Sequence, residues 1–230
     1  MILAALRADI RAIGFGNWLL YAIDRACRRV GIDAAVTRYI LVAQPVPDGP
    51  LLPARRGAAI AVRELAIDDP ALAAMPVDRA ELENRARIGA VGFGAFQDGR
   101  MIGYLWLVVG PYEEAEVRLR FVPAPEGRTS WDFDVYLHPE HRIGFGFAKL
   151  WEAANAHLRA RGVAWTISRI NAINALSLAS HRRLGAVQCG SVTTIRIGRF
   201  HIYISPRRPW VRCSAGRGAW AEFRVAAPNA

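Results

Sequence analysis

The stretch from Trp131 to Gly185 constrains this chain more than any other. Trp131-Asp132-Phe133-Asp134-Val135-Tyr136-Leu137 reads as a strand and runs into a turn, His138-Pro139-Glu140-His141-Arg142-Ile143-Gly144-Phe145-Gly146. From about Gly146 to Ala160, Phe147, Leu150, Trp151, Ala154 and Leu158 fall on one helical stripe, and Gly162 is a natural stop. Val163–Ile170 is rich in strand formers. Asn174 is suited to cap a short second helix, which contains His181 and ends at Gly185. Strand, turn, helix, strand and helix in unbroken succession predict an α/β fold.

The rest of the chain extends that pattern. Residues 1–30 read as an amphipathic helix or helix pair, with Ile13, Trp18, Leu19 and Ile23 apolar and Arg25, Arg28 and Arg29 following. Val36–Val46 reads as a strand, and Pro45, Pro47, Gly49, Pro50, Pro53 and Gly57 mark an irregular linker. Ile60–Leu65 alternates as a strand, and Asp68-Asp69-Pro70 opens a helical stretch predicted through Ala71–Ala90. Val91–Gln97 and Met101–Val109 flank Asp98-Gly99, a strong hairpin turn. Tyr112–Arg128, polar and broken by proline, is expected to be a loop. Val187–Ile197 and Phe200–Ser205 read as a closing strand pair around Gly198-Arg199. The expected organisation is a helical extension and linker (1–58), one main domain (59–206) and a basic tail (207–230). The tail's arginines are 207, 208, 212, 217 and 224, with Trp210 and Trp220 between them.

The formal net charge is +10, and Lys149 is the only lysine, so the positive charge is almost all arginine. Such a balance suits anionic partners: a phosphorylated ligand, an acidic membrane surface or nucleic acid. Cys27, Cys189 and Cys213 are far apart and odd in number, which argues against a disulfide framework or a CxxC zinc site and for a reducing compartment. Arg7, Asp9 and Arg11 interrupt the first apolar run, as a signal peptide would not. The run Ala12–Ile23 is shorter than the roughly 20 residues of a membrane span. A cytoplasmic protein is expected, with any membrane contact peripheral, at the inner face, through residues 1–30 and the Arg/Trp tail. His138-Pro139-Glu140 lacks the PCxxC of a zinc deaminase. There is no G-x-S-x-G elbow, no phosphate-loop lysine motif and no full G-x-G-x-x-G. The tail matches no recognised nucleic-acid module, so nucleic acid is not an expected partner.

From Ile60 the element order is strand, helices, hairpin, strand, helix, strand, helix and two strands. With Pro139-Glu140-His141-Arg142-Ile143-Gly144-Phe145-Gly146 before a helix, and Asn174, Ser177, His181 and Gly185 at their intervals, the chain resembles the GCN5-related N-acetyltransferase (GNAT) superfamily over roughly residues 59–205. Val62-Arg63-Glu64-Leu65 and Asp68-Asp69 look like that family's first strand and turn. The resemblance implies a mixed central sheet flanked by helices, here with an N-terminal amphipathic helical extension. It implies an enzyme that moves an acyl group from acyl-CoA or acetyl-CoA to a primary amine by direct attack in a ternary complex, without a metal.

Residue by residue, the resemblance assigns roles. Arg142, Gly144 and Gly146 occupy the place of the family's pyrophosphate cradle, where glycine-opened N–H groups meet a helix N-terminus. Measured from Pro139 the glycines come one residue early, which sets His141 where the family has Gln or Arg. An ordinary glycine-rich turn is the alternative. The backbone of Val135–Leu137 would hold the pantetheine arm and orient the thioester carbonyl. Asp132 and Asp134, two apart on a strand, are expected on one face with Tyr136. They are candidates for the base that neutralises the amine, Asp134 first; a solvated sheet face is the alternative. His181 stands where many members carry a Tyr that protonates the leaving thiolate, and Asn174 and Ser177 complete the binding set. A buried packing histidine is the alternative there. The amphipathic start, the tail and the aromatics Phe145, Phe147 and Trp151 lean towards a long acyl chain and a sphingoid-like, ceramide-forming amine at a membrane surface. Acetyl transfer to a small-molecule or protein amine competes, as does a non-catalytic acyl-CoA- or membrane-binding module. A homodimer is compatible with the N-terminal helix.

Overall fold

A computed structural model describes residues 10–11, 13–216 and 220–228. The readings placed on residues 1–9, on Ala12 and on Arg217 lie outside the described residues. In chain order the elements are α1 (Phe15–Arg29), β1 (Ala34–Pro45), β2 (Ala61–Leu65), a 3-10 turn (Pro70–Ala74), α2 (Arg79–Arg87), β3 (Val91–Gln97), β4 (Arg100–Val108), β5 (Tyr112–Glu114), β6 (Leu119–Ala124), β7 (Thr129–Leu137), a second 3-10 turn (Pro139–His141), α3 (Gly146–Ala160), β8 (Trp165–Asn171), α4 (Ala175–Arg183), β9 (Val187–Ile197), β10 (Phe200–Ile204), β11 (Val211–Ala215) and β12 (Ala221–Ala226).

Three expectations are corrected. The helix predicted through 71–90 is two pieces. Asp69 accepts from the Ala71 N–H at 2.9 Å and caps a single 3-10 turn. Pro76 cannot continue that turn, and Asp78 starts α2 afresh by accepting from the Glu81 N–H at 2.8 Å. The loop predicted over 112–128 contains β5 and β6, and the basic tail contains β11 and β12. Strands β12, β6 and β5 form a sheet in that order, in which Leu119 and Phe121 are fully buried and Phe223 and Val225 nearly so.

The chain divides into two compact units. One comprises Pro45–Tyr112 and Pro123–Ile167. Its strands run β2, β3, β4, β7, antiparallel throughout, and β7 is joined by a parallel ladder to Trp165–Ile167, so the sheet is mixed. The hairpin of β3 and β4 turns at Asp98-Gly99, as the sequence predicts. Helix α3 packs on β2, β3, β4 and β7, and its stripe residues Leu150, Trp151, Ala154 and Leu158 are fully buried. Trp131, Leu105 and Ile167 complete that core. Pro47–Ile60 is irregular but fixed to α3: Arg159 donates to the Pro47 carbonyl at 2.6 Å, and Gly57 sits where a Cβ would meet Phe145 and Lys149.

The other unit comprises Met1–Gln44, Glu113–Val122 and Ser168–Pro228. Its strands run β11, β10, β9, β1, antiparallel, with Ala34 opposite Ile197 at one end of the β1–β9 ladder. β1 therefore lies inside a sheet although it belongs to the segment read as an extension. Val42, Ile170 and Ala186 form an apolar cluster with Ile40 and Leu178 of α4 around it. Tyr203, fully buried, donates its hydroxyl to the Val117 carbonyl at 2.9 Å. Among the described residues no helix is long and apolar enough to cross a membrane.

Candidate active site

In the first of these units the candidate site is built around an irregularity in β7. The ladder with β4 pairs Tyr104 with Tyr136 and Trp106 with Phe133, so Asp134 and Val135 together face the single residue Leu105. This is a β-bulge, and Asp134 holds the left-handed backbone that it needs, with φ of 51°. The bulge separates the two acids that strict alternation would place on one face. Asp132 is buried and accepts from the Thr166 hydroxyl at 2.7 Å, while Asp134 turns towards α2. There it pairs with Arg85 at 2.7 Å, and Arg85 also binds Glu81 at 2.9 Å and lies over the rings of Trp106 and Phe133.

Asp134 remains 31% exposed, whereas the Arg85 side chain is only 5% exposed. Tyr104, opposite Tyr136 and stacked on it, also hydrogen-bonds Asp134. Burial, with the Asp134 charge behind it, pushes the Tyr104 phenol up to about 12. Tyr112 stacks on Phe133 with ring centroids 4.3 Å apart, giving the site an aromatic wall. Glu81, Arg85 and Tyr104 were not identifiable from the sequence. Glu81 and Arg85 show helical spacing to each other, but no local pattern links either to a strand further along the chain.

Downstream of the bulge, Leu137 leads through the 3-10 turn to α3. The His141 ring lies 3.8 Å from the Glu140 carboxylate. Arg142 turns back, donating Nε to the Leu137 carbonyl at 3.1 Å beneath the Tyr136 ring. Gly144 has φ of 149°, a conformation open to glycine. Gly146 is the first residue of α3, and a Cβ there would come within 3.0 Å of Leu137, so the helix start sits tight on the strand. The Lys149 N–H donates to the Phe145 carbonyl at 2.8 Å, and Phe145 provides no side-chain cap. The N–H groups of Gly144, Phe145, Gly146 and Ala148 consequently have no backbone acceptor among the described residues. A cavity of about 430 Å³ opens beside them, lined among others by His141, Gly144, Gly146 and Arg55. Such a set of N–H groups at a helix N-terminus is chemically suited to phosphate oxygens.

Asn174, Ser177 and His181 belong to the other unit and form their own group. Asn174 caps α4 by accepting from the Ser177 N–H at 3.0 Å. His181 is 3% exposed, and its Nδ1 lies 3.2 Å from Oε1 of Gln44 on β1. With the Gln44 amide in this orientation, its carbonyl accepts from the imidazole Nδ1–H. Among the described residues no group of three or more His, Cys, Asp or Glu is arranged to hold a metal ion.

No protein-family model matches the chain, and no curated protein matches it. Solved structures do. A protein from Novosphingobium aromaticivorans described as a GNAT-family acetyltransferase is 19% identical over 69% of this chain and 62% of its own, with a TM-score of 0.48. A ribosomal-protein-alanine N-acetyltransferase from Brucella melitensis is 27% identical over 54% of this chain and 83% of its own, with a TM-score of 0.41. An acetyltransferase assigned in Salmonella typhimurium, solved with acetyl-CoA as its cofactor, is 21% identical over 58% and 80%, also at 0.41. The chain thus spans less than two thirds of the first of these proteins. All three are acetyltransferases by description.

Proposed function

We propose that this protein is an acyl-CoA-dependent N-acyltransferase of the GNAT type. The observation that carries the reading is the continuous path from the bulge at Asp134 and Val135, through Leu137, to the N–H groups ahead of α3. The loop would hold the CoA pyrophosphate, with Arg142 adding positive charge and His141 a ring nitrogen beside it. The bulge leaves the backbone of Asp134 and Val135 outside the regular ladder with β4, where it can meet a thioester carbonyl. Asp134, partly exposed and paired with Arg85, is the candidate to take the amine proton, directly or through water. His181, to which the resemblance gives the proton for the departing thiolate, lies in the other unit, buried and bonded to Gln44.

The test is calorimetric titration with CoA, followed by CoA release from acetyl-, octanoyl- and palmitoyl-CoA across a panel of amines. Micromolar CoA binding with amine-dependent release supports the reading. Failure to bind CoA refutes it, and binding without release for every amine leaves a non-catalytic acyl-CoA module.

A second, finer reading concerns the acceptor. Phe15, Leu19 and Ile23 recur at four-residue spacing on α1 and are 62%, 43% and 42% exposed, with Arg25, Arg28 and Arg29 beside them. That face suits a lipid interface, and with it a long acyl chain and an amphiphilic amine. Sedimentation with anionic liposomes checks it. A protein that ignores the liposomes and turns over only acetyl-CoA is an acetyltransferase for small or protein amines.

A further inference from the structure

Helix α1, the start of β1 and the turn after β8 line a cavity of about 310 Å³. That volume lies at the lower end of the range for small-ligand sites. Leu20, Val36 and Ile173 supply apolar wall, and Arg25, Arg28 and Arg38 supply charge. Asp24 is the sole carboxylate in the lining, and it is already occupied. One oxygen accepts from the Val36 N–H at 2.9 Å and the other pairs with Arg28 at 2.8 Å.

Among the described residues, no ion pair involves Arg25 or Arg38. Arg25 donates to the Tyr21 hydroxyl at 3.2 Å. Arg38 projects from β1, half-buried. Its Nη2 reaches the Ser191 hydroxyl only at 3.4 Å, and its Nε is buried without an acceptor. Charges withdrawn from water are ordinarily paired, because desolvation without a counter-charge is costly. Arg38, half-buried and without an ion-pair partner, leaves that pairing to be supplied from outside, and the exposed Arg25 lines the same concave, partly apolar wall. The guanidinium fork matches a carboxylate or a phosphate.

We propose that this cavity binds the carboxylate or phosphate end of a small ligand, with Arg38 and Arg25 as its anchors and an apolar body against Leu20, Val36 and Ile173. The ligand is a separate small molecule, so this inference does not rest on the acyltransferase reading.

Calorimetric titration of the protein tests it. The probes are 3-phenylpropionate, phenyl phosphate and neutral 3-phenylpropanol, with CoA measured separately. Each is measured on the wild type, Arg38→Met and Arg25→Met. The expected result is an affinity at least tenfold higher for an anionic probe than for its neutral counterpart, lost in Arg38→Met and reduced in Arg25→Met. Circular dichroism reports the fold, and the exposed Arg25 variant carries the test if Arg38→Met fails to fold. Wild type that binds CoA but none of the phenyl anions overturns this inference while leaving the acyltransferase reading intact. Binding of 3-phenylpropionate without any CoA binding does the reverse. An anion preference that both folded variants keep unchanged also overturns it.

Discussion

Replacing Arg85 with methionine tests whether the bulge in β7 is held from α2. The Arg85 side chain is 5% exposed and joins Asp134 at 2.7 Å to Glu81 at 2.9 Å. Removing one partner of a buried pair typically costs about 3–5 kcal/mol, much of it from stranding the other charge. Here the stranded acids are 31% and 38% exposed and can take up water, which discounts the loss to about 2 kcal/mol. Methionine keeps the apolar packing over Trp106 and Phe133, so the loss reports the charge rather than a cavity. At this chain length about 2 kcal/mol corresponds to a fall in Tm of roughly 4–8 °C. Urea unfolding should show a lower midpoint with an unchanged m-value. In a double-mutant cycle with Asp134→Asn the coupling should reach about 1 kcal/mol. If Asp134 is the base, kcat should fall in Arg85→Met as well. A loss below about 0.5 kcal/mol with no coupling would refute the claim that this pair fixes the bulge.

Gly144→Ala meets nothing within 4 Å but forces φ of 149° on an L side chain, a strain of about 1–3 kcal/mol; calorimetry should show CoA affinity falling by about tenfold while the fold persists. Asn174→Ala removes the acceptor for the Ser177 N–H and should destabilise α4 by about 1 kcal/mol, read as faster amide exchange in Ala175–Arg183. The Tyr104 phenol, pushed up to about 12 by burial and then by Asp134, holds its proton in the folded state where the unfolded chain, near 10, has lost it. Its contribution to stability is therefore complete below pH 10 and is lost as pH rises towards 12. Absorbance titration of the phenolates should show the Tyr104 midpoint moving down in Asp134→Asn.

Much of this was legible in the sequence because local chemistry decides it. Asp98-Gly99 can hardly be anything but a hairpin turn, the stripe ending at Leu158 buries as its spacing requires, and Asn174 caps the helix it precedes. The glycine-rich turn before α3 is also where it was expected. The bulge was not legible: alternation puts Asp132 and Asp134 on one face, and only pairing with β4 reveals that Leu105 faces two residues. Arg85 and Gln44 were missed for the same reason, since each meets its partner across a long stretch of chain. β5, β6 and β12 were hidden because Pro123 and Pro125 read as breakers, and the buried side chains of Leu119, Phe121 and Phe223 come together only in three dimensions. The break at Pro76 was visible, but the acids at 68–69 were allowed to start one long helix instead of one turn.

The pairing of Ala34 with Ile197 has a consequence for how the molecule is made. β1 leaves the ribosome before β9, carrying Tyr39, Leu41, Val42 and Ala43, all buried in the finished fold. The strand it pairs with antiparallel, β9, follows some 150 residues later, which at about 5–20 residues per second is a delay of roughly 8–30 s. Over that interval a Tyr-Ile-Leu-Val-Ala run with an unpaired edge is exposed in the nascent chain, the kind of segment that aggregates or is held by a chaperone. Slowing translation should then lower soluble yield through β1, and an added chaperone should restore it.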